Sequence, residues 1–330
     1  HECKIRYNLH KEKVKSYNQL ESDLIRGYES DPNTVILEFD YAQNLPVPKL
    51  NCNEQFYKRL LWFYIFNVHV HNCPHSFMYG CMESEAKKNT NSVISLVYRS
   101  LIELMDREPF KREILFSDAC GGQNKNFLLM CFCAWFSEVY AVEILHVYPV
   151  CGHSYSICDR NFGIYGKKLK KLPIIQTAAE YLKIIAKSRE KPFPYWSTWD
   201  PSLFKEWETV LRPFFKRKPT RKHSCFTLQK YCMLKYKPDG TISDSKTYTP
   251  DFEDFQYWKN ADITRQELDI KPPQATLPPL KPAKIADVRA LYEFLNEEAR
   301  TWLNILFKNS VPGDDGQGPS DLTDDDISEY

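Results

Sequence analysis

No run of eighteen uninterrupted apolar residues occurs in this chain of 330, so it offers no candidate membrane-spanning helix, and no signal-peptide pattern opens it. It carries no internal repeat, which sets aside repeat architectures. Paired CxxC knuckles are absent although there are 11 cysteines. These are odd in number and scattered, several within apolar runs (Cys131, Cys133, Cys232), as expected of small buried thiols in a reducing, intracellular compartment. The chain starts at His1 rather than Met, which reads as a processed or excised segment. Net charge is nearly absent, at +1, but that balance conceals an asymmetry. From Asn309 onward lie seven acids and no Lys or Arg, which leaves a body of about +8 suited to polyanionic partners. The Gly- and Asp-rich end is expected to be disordered, either solubilising the chain or competing for its basic surface.

What is present suits a folded protein: 43% apolar and 14% aromatic residues in a length able to bury a sizeable core. Residues 1–33 read as a helical lead-in ending at the turn Asp31-Pro32-Asn33. Thr34 to Asp40 is β-branched and aromatic and ends on an acid, the pattern of a strand. Prolines 46 and 48 make residues 43–50 an extended loop. A second strand is expected within Phe56 to Val70 and a third over Ser76 to Met82. Helical spacing follows over 84–107, then a strand Ile114 to Asp118, a helix Asn124 to Tyr140, a strand Val142 to Val150 and helices within 155–187 broken at Pro173. Between the second and third strands, His69-Val70-His71-Asn72-Cys73-Pro74-His75 has zinc-type ligands but no standard knuckle spacing, and a turn accounts for it better.

Three sequential strands, helix, strand, helix, strand, helix is the order of an α/β, ribonuclease-H-like mixed five-stranded sheet with flanking helices, placed over residues 34–190. Residues 191–308 read as a small C-terminal β-rich and helical appendage. It comprises strand-like runs over Ser224–Met233 and Leu234–Tyr236, a Pro-rich extended linker over Lys271–Pro282 and an amphipathic helix or helical pair over Ile285–Phe307. Residues 309–330 form the acidic tail.

Phe116-Ser117-Asp118-Ala119-Cys120-Gly121-Gly122-Gln123-Asn124-Lys125-Asn126 is the stretch around which the rest is arranged. It delivers Asp118 at a strand end, where open α/β sheets place ligands; alternatively Asp118 caps the following helix. Asp40 ends the first strand, a neighbour of the fourth in such a sheet. Asp159 falls early in the helix after the fifth strand, as a metal ligand or as an acid favoured by the helix dipole. Close carboxylates repel unless a cation lies between them, and Mg²⁺ or Mn²⁺ takes oxygen ligands of this kind. A pair of such ions can activate water and stabilise the leaving oxygen of a phosphodiester. Catalytic and metal-ligating candidates are therefore Asp40, Asp118 and Asp159, with Glu83 a fourth catalytic candidate and Glu85 behind it. Gln123, Asn124, Lys125, His153, Arg160, Lys167 and Lys168 are candidates to hold nucleic-acid phosphates. The Gly121-Gly122 turn would let backbone approach a phosphate closely.

The segment Phe39 to Pro48, the run Phe56-Tyr57-Lys58-Arg59, Ser117 to Asn126, and Gly152-His153-Ser154 through Asp159 with Phe162-Gly163 carry a resemblance. Together they resemble an uncharacterised domain family widespread in animal transposon-derived proteins and similar to ribonuclease-H-like transposases. The resemblance runs in order from about residue 10 to 300. It implies that fold, metal-dependent cleavage or strand transfer on nucleic acid (DNA first), a nuclear address, and a possible homo-oligomer. Asp40, Asp118 and Asp159 fall on the family's acidic positions. Around them the pattern thins. Cys81-Met82-Glu83 replaces Trp-x-Glu, Ser92 stands for an acid, and Asn161 and Gly166 stand where Asp and Glu are usual. A domesticated, catalytically inactive module that binds nucleic acid or protein is the alternative.

Overall fold

The computed structural model describes residues 2–73, 76–150, 152, 156–191, 194–220, 226–259 and 268–310. Helix α1 (Glu2–Tyr28) leads into strand β1 (Thr34–Tyr41), followed by the short β2 (Leu45–Val47), β3 (Leu61–Val70) and β4 (Ser76–Met82). Next come α2 (Thr90–Arg107), β5 (Arg112–Ser117), α3 (Phe127–Tyr140), β6 (Glu143–Val147), α4 (Ile157–Leu169) and α5 (Ala178–Ala186). The remainder is β7 (Trp196–Thr198), α6 (Trp207–Leu211), β8 (Phe215–Thr220), β9 (Met233–Tyr236), β10 (Ile242–Ser245), β11 (Glu253–Trp258), α7 (Pro282–Arg289) and α8 (Glu297–Asn309). The molecule is mixed α/β.

The strands form one 11-stranded sheet in the order β7-β4-β3-β1-β5-β6-β9-β10-β11-β8, with β2 beside β3. β1 runs antiparallel to β3 and parallel to β5, and β5 parallel to β6. Strands covered on both faces carry continuous apolar runs, and seven of the eight β1 residues are buried. One face is covered by α2, α3 and α6. Helix α3 is apolar on every side because it is buried among them, with Leu128 through Ser137 all inaccessible. The opposite face is covered by α4, α5, α7 and α8, and by α1 through Tyr17, Leu20 and Leu24.

Several expectations are corrected. The sheet does not stop at five strands, because β9 pairs antiparallel with the outer edge of β6 and carries β10, β11 and β8 with it. An unpaired edge beside a buried strand leaves backbone polar groups unsatisfied, and the C-terminal hairpins satisfy them. Of the run expected over 224–233, the described part is mostly not strand: Leu228–Lys230 is a single 3-10 turn. Residues 43–50 contain β2, and within the span Phe56 to Val70 the second long strand, β3, starts only at Leu61, after the 3-10 turn Asn53–Tyr57. The Pro-rich segment is extended but tethered, since Glu206 N–H donates to Pro273 O at 2.9 Å and Ala275 N–H to Phe204 O at 3.0 Å. The C-terminal helices dock as expected, through Val288, Leu303 and Phe307. The acidic tail beyond Ser310 lies outside the described residues.

Candidate active site

Phe39 and Ser117 are register partners across β1 and β5, so the next residues, Asp40 and Asp118, stand side by side at the carboxyl ends of parallel neighbours. Side chains two apart on a strand share a face. Glu38 and Asp40 therefore project together, and Phe116 and Asp118 beside them. They line a narrow cleft closed by Tyr17 of α1 and Ser156 at the start of α4.

Asp118 is held from its own loop. Its Oδ1 accepts from Cys120 N–H at 3.0 Å and from the Asn124 amide. Asn126, not Asp118, caps α3, with its Oδ1 accepting from Leu128 and Leu129 N–H at 3.1 and 3.0 Å. The capping alternative for Asp118 therefore fails, and α3 begins three residues later than its pattern suggests. Asp40 Oδ1 accepts from Tyr41 N–H at 2.7 Å. Among the described residues the Oδ2 of each acid has no hydrogen-bond donor. Burial, followed by the charge of Asp118, pushes the Asp40 carboxyl up to about 8, and Asp159 adds to the effect. Lys88 eases it from a distance, with its ammonium on Ala42 O and Asn44 Oδ1 at 3.3 and 3.0 Å.

Asp159 occupies the third position of a capping box. Its N–H donates to Ser156 Oγ and its Oδ2 accepts from Ser156 N–H, both at 3.2 Å. It is exposed, and its charge still reaches Asp40. Helix α4 is fixed to the sheet by a buried amide network. Asn161 Nδ2 donates to Asn67 Oδ1 at 2.8 Å, and Tyr195 OH donates to Asn161 Oδ1 at 3.0 Å. Asn161 is thus a packing residue here.

The other candidates separate. Glu83 is not part of the group: Lys284 of α7 donates to both its oxygens at 2.9 Å, and Trp62 N–H donates to Oε1 at 3.1 Å. Glu85 is likewise engaged, accepting from Trp199 Nε1 at 2.7 Å and Met82 N–H at 2.8 Å. Lys125 is buried rather than presented to a ligand. Its ammonium lies 4.9 Å from the Tyr148 ring centre and donates to Gln229 O at 3.3 Å, and burial lowers its pKa. Asn124 is buried beneath Asp118, which it orients. Gln123 is half-buried and Arg160 exposed, and neither lines the cleft. Lys167 and Lys168 are exposed but stand at the far end of α4, roughly 12 Å from Asp159 at helical rise. His153 lies outside the described residues. A Cβ on Gly121 or Gly122 would meet nothing, and neither has positive φ, so the chain path does not require glycine there.

Glu38 is the acid that sequence reasoning passed over. Its Oε1 accepts from Ile157 N–H, the first residue of α4, at 3.2 Å, and its Oε2 lies 2.9 Å from His71 Nε2. The signal was the period-two spacing with Asp40. His71 therefore serves Glu38, while His69 is half-buried against Asn161, its pKa pushed down to about 3 chiefly by desolvation. Among the described residues no three His, Cys, Asp or Glu side chains are grouped closely enough to share one metal ion. Asp40 and Asp118 nevertheless suit a single hydrated Mg²⁺, which keeps several waters and uses one or two carboxylates plus substrate oxygens.

A family model, a domain of unknown function (DUF7869), matches residues 57–238. That is more than half of the chain, which therefore belongs to this family. Asp118 and Asp159 lie inside the matched segment and Asp40 precedes it. No curated protein and no solved structure matches the chain. No helix among the described residues is long and apolar enough to cross a membrane.

Proposed function

We propose that the chain is a ribonuclease-H-like, transposase-related domain that acts on phosphodiesters of nucleic acid, DNA first, at Asp40 and Asp118. The observation that carries the reading is the pair of carboxylates at the ends of parallel β1 and β5, each with one oxygen undonated among the described residues, with the charge of Asp118 raising the cost of charging Asp40. The strand arrangement, with β1 between an antiparallel β3–β4 pair on one side, β3 running antiparallel to β1, and parallel β5 and β6 on the other, supports the same fold class. A divalent ion bound there would activate water and stabilise the leaving oxygen. The chain's own contribution is positional. Tyr41 N–H and the Cys120 and Asn124 donors orient the two acids, Arg160 and Gln123 offer phosphate contacts, and the open space over Gly121 and Gly122 admits a backbone. Asp159 would add a third ligand only on releasing its capping-box contacts with Ser156. A nuclear address follows from the same reading.

Calorimetric titration with Mn²⁺, paired with cleavage of labelled DNA, tests it. The wild type should bind one ion per chain and cleave only with metal, and Asp40→Asn and Asp118→Asn should lose both properties. Cleavage unchanged in Asp118→Asn would overturn the assignment. The engagement of Asp159 and Glu83 in structural contacts favours a second reading, a domesticated module that binds without chemistry. Salt-dependent DNA binding that survives Asp118→Asn, with no cleavage by either protein, would select it.

A further inference from the structure

The turn Asn53–Tyr57 presents two large aromatic side chains to solvent, Phe56 at 86% and Tyr57 at 81% relative exposure. No other large apolar side chain among the described residues exceeds 60%. The cost of exposing two adjacent rings finds no explanation in packing, because neither joins a core cluster. They touch only edge to face, with centres 5.3 Å apart and planes at 86°, which leaves ring faces open. The turn is nonetheless ordered. Gln55 Oε1 accepts from Leu50 N–H and Gln55 O accepts from Lys58 N–H at 3.1 Å. Lys58 and Arg59 follow directly, steadied at 3.8 and 3.6 Å by Asp287, and Arg59 stays 60% exposed. Within residues 49–59 the one acid is Glu54.

This turn stands at the same end of the sheet as the carboxylates. β3 is antiparallel to β1 with Phe66 opposite Tyr41, and it starts five residues earlier, at Leu61. That places Leu61 roughly 20 Å beyond Asp40 at strand rise, with the turn just before it. The exposed lysines at the end of α4, Lys167, Lys170 and Lys171, flank it, since Lys49 just before the turn donates to Leu169 O and Leu172 O at 2.7 and 2.8 Å.

We infer that Phe56 and Tyr57 form a stacking platform for the unpaired bases of single-stranded nucleic acid, whose phosphates run over Lys58, Arg59 and the α4 lysines. Aromatic faces interleaved with cations bind single strands without sequence preference, because every base has a π-face and every linkage a charge. A duplex hides its base faces, so the platform discriminates by strandedness. The inference rests on the nucleic-acid reading above and extends it to the form of substrate delivered to Asp40 and Asp118.

Fluorescence anisotropy with a labelled oligothymidine and a labelled duplex of equal length, in EDTA so that nothing is cut, provides the test. Phe56→Ala/Tyr57→Ala should weaken single-strand binding at least about tenfold and leave duplex binding within about twofold. Phe56→Trp/Tyr57→Trp should retain it. Both rings are solvent-exposed, so an unchanged melting temperature will accompany the loss. Equal single-strand affinity in wild type and the alanine variant overturns the platform while the nucleic-acid reading stands. A wild type that binds neither probe overturns both. A wild-type dimer that the alanine variant converts to monomer, with oligothymidine affinity unchanged, assigns the rings to a contact with a second copy and overturns the platform.

Discussion

Glu113 shows how much a single buried side chain can dictate. It lies on β5 between register partners Val35 and Ile144, is 1% exposed, and among the described residues neither of its oxygens has a hydrogen-bond donor. Burial pushes its carboxyl from 4.5 up to about 8, so it is protonated in the fold at neutral pH. The folded value is raised. Stability is therefore complete below about 4.5 and falls as pH rises towards 8, by about 1.4 kcal/mol per pH unit, because the unfolded chain ionises first. Glu113→Gln should remove that slope. Melting temperatures of the two proteins should coincide near pH 5 and separate in favour of the glutamine variant near pH 8. Parallel curves would show that Glu113 ionises in the fold without cost. The contrast with Asp118 is instructive. Both acids lie on or just after β5, but Asp118 Oδ1 accepts from Cys120 N–H and the Asn124 amide at a strand end, while Glu113 has no donor among the described residues.

At the scale of elements, close approach between the sheet and α5 depends on Gly80. A Cβ there would run into the ring of Phe63 across the β3–β4 pair and press on Leu182 of α5. Phe63 is fully buried and stacks on Tyr181 with centres 6.0 Å apart, so the ring has nowhere to go. Gly80→Ala should cost about 1–3 kcal/mol in denaturant unfolding. Adding Phe63→Leu should recover part of it, and a fully additive loss would rule out the clash. The strands themselves were legible because alternation and β-branching are local: Ser76–Met82 was delimited to the residue and Thr34–Asp40 to within one. Helix starts were less legible. α2 begins at Thr90 behind the Asn89 cap rather than at 84, and α3 behind Asn126 rather than at Asn124. Polar residues before each cap are equally compatible with a turn, and the choice depends on which side chain reaches the free N–H groups.

For the molecule as a whole, the contact between Glu83 and Lys284 ties the C-terminal helices to the end of β4. The pair is largely shielded, at 14% and 9% side-chain exposure, with two bonds of 2.9 Å. Removing one partner strands a shielded charge. Lys284→Met should lower stability by about 3 kcal/mol and speed amide exchange in α7 and α8, and Glu83→Gln/Lys284→Met should recover most of it. A single variant as stable as wild type would show the pair to be effectively solvated. The same contact removes Glu83 from the candidate site. It also shows why an acid just after a strand end need not serve chemistry.

The sequence by itself determined the mixed α/β class, the order of the first five long strands and the placement of Asp40 and Asp118 at strand ends, because each follows from periodicity and punctuation within a few residues. Tertiary structure alone decided the rest. The C-terminal strands join the main sheet because β6 has an open edge to satisfy. Glu38 faces the same cleft as Asp40, while Lys125, which looked like a phosphate ligand, turns inward onto Tyr148 and Gln229. Phe56 and Tyr57, at the start of the span expected to contain the second strand, stand in solvent. Those outcomes depend on which distant groups need a partner, and partners brought together across a hundred residues leave no local pattern.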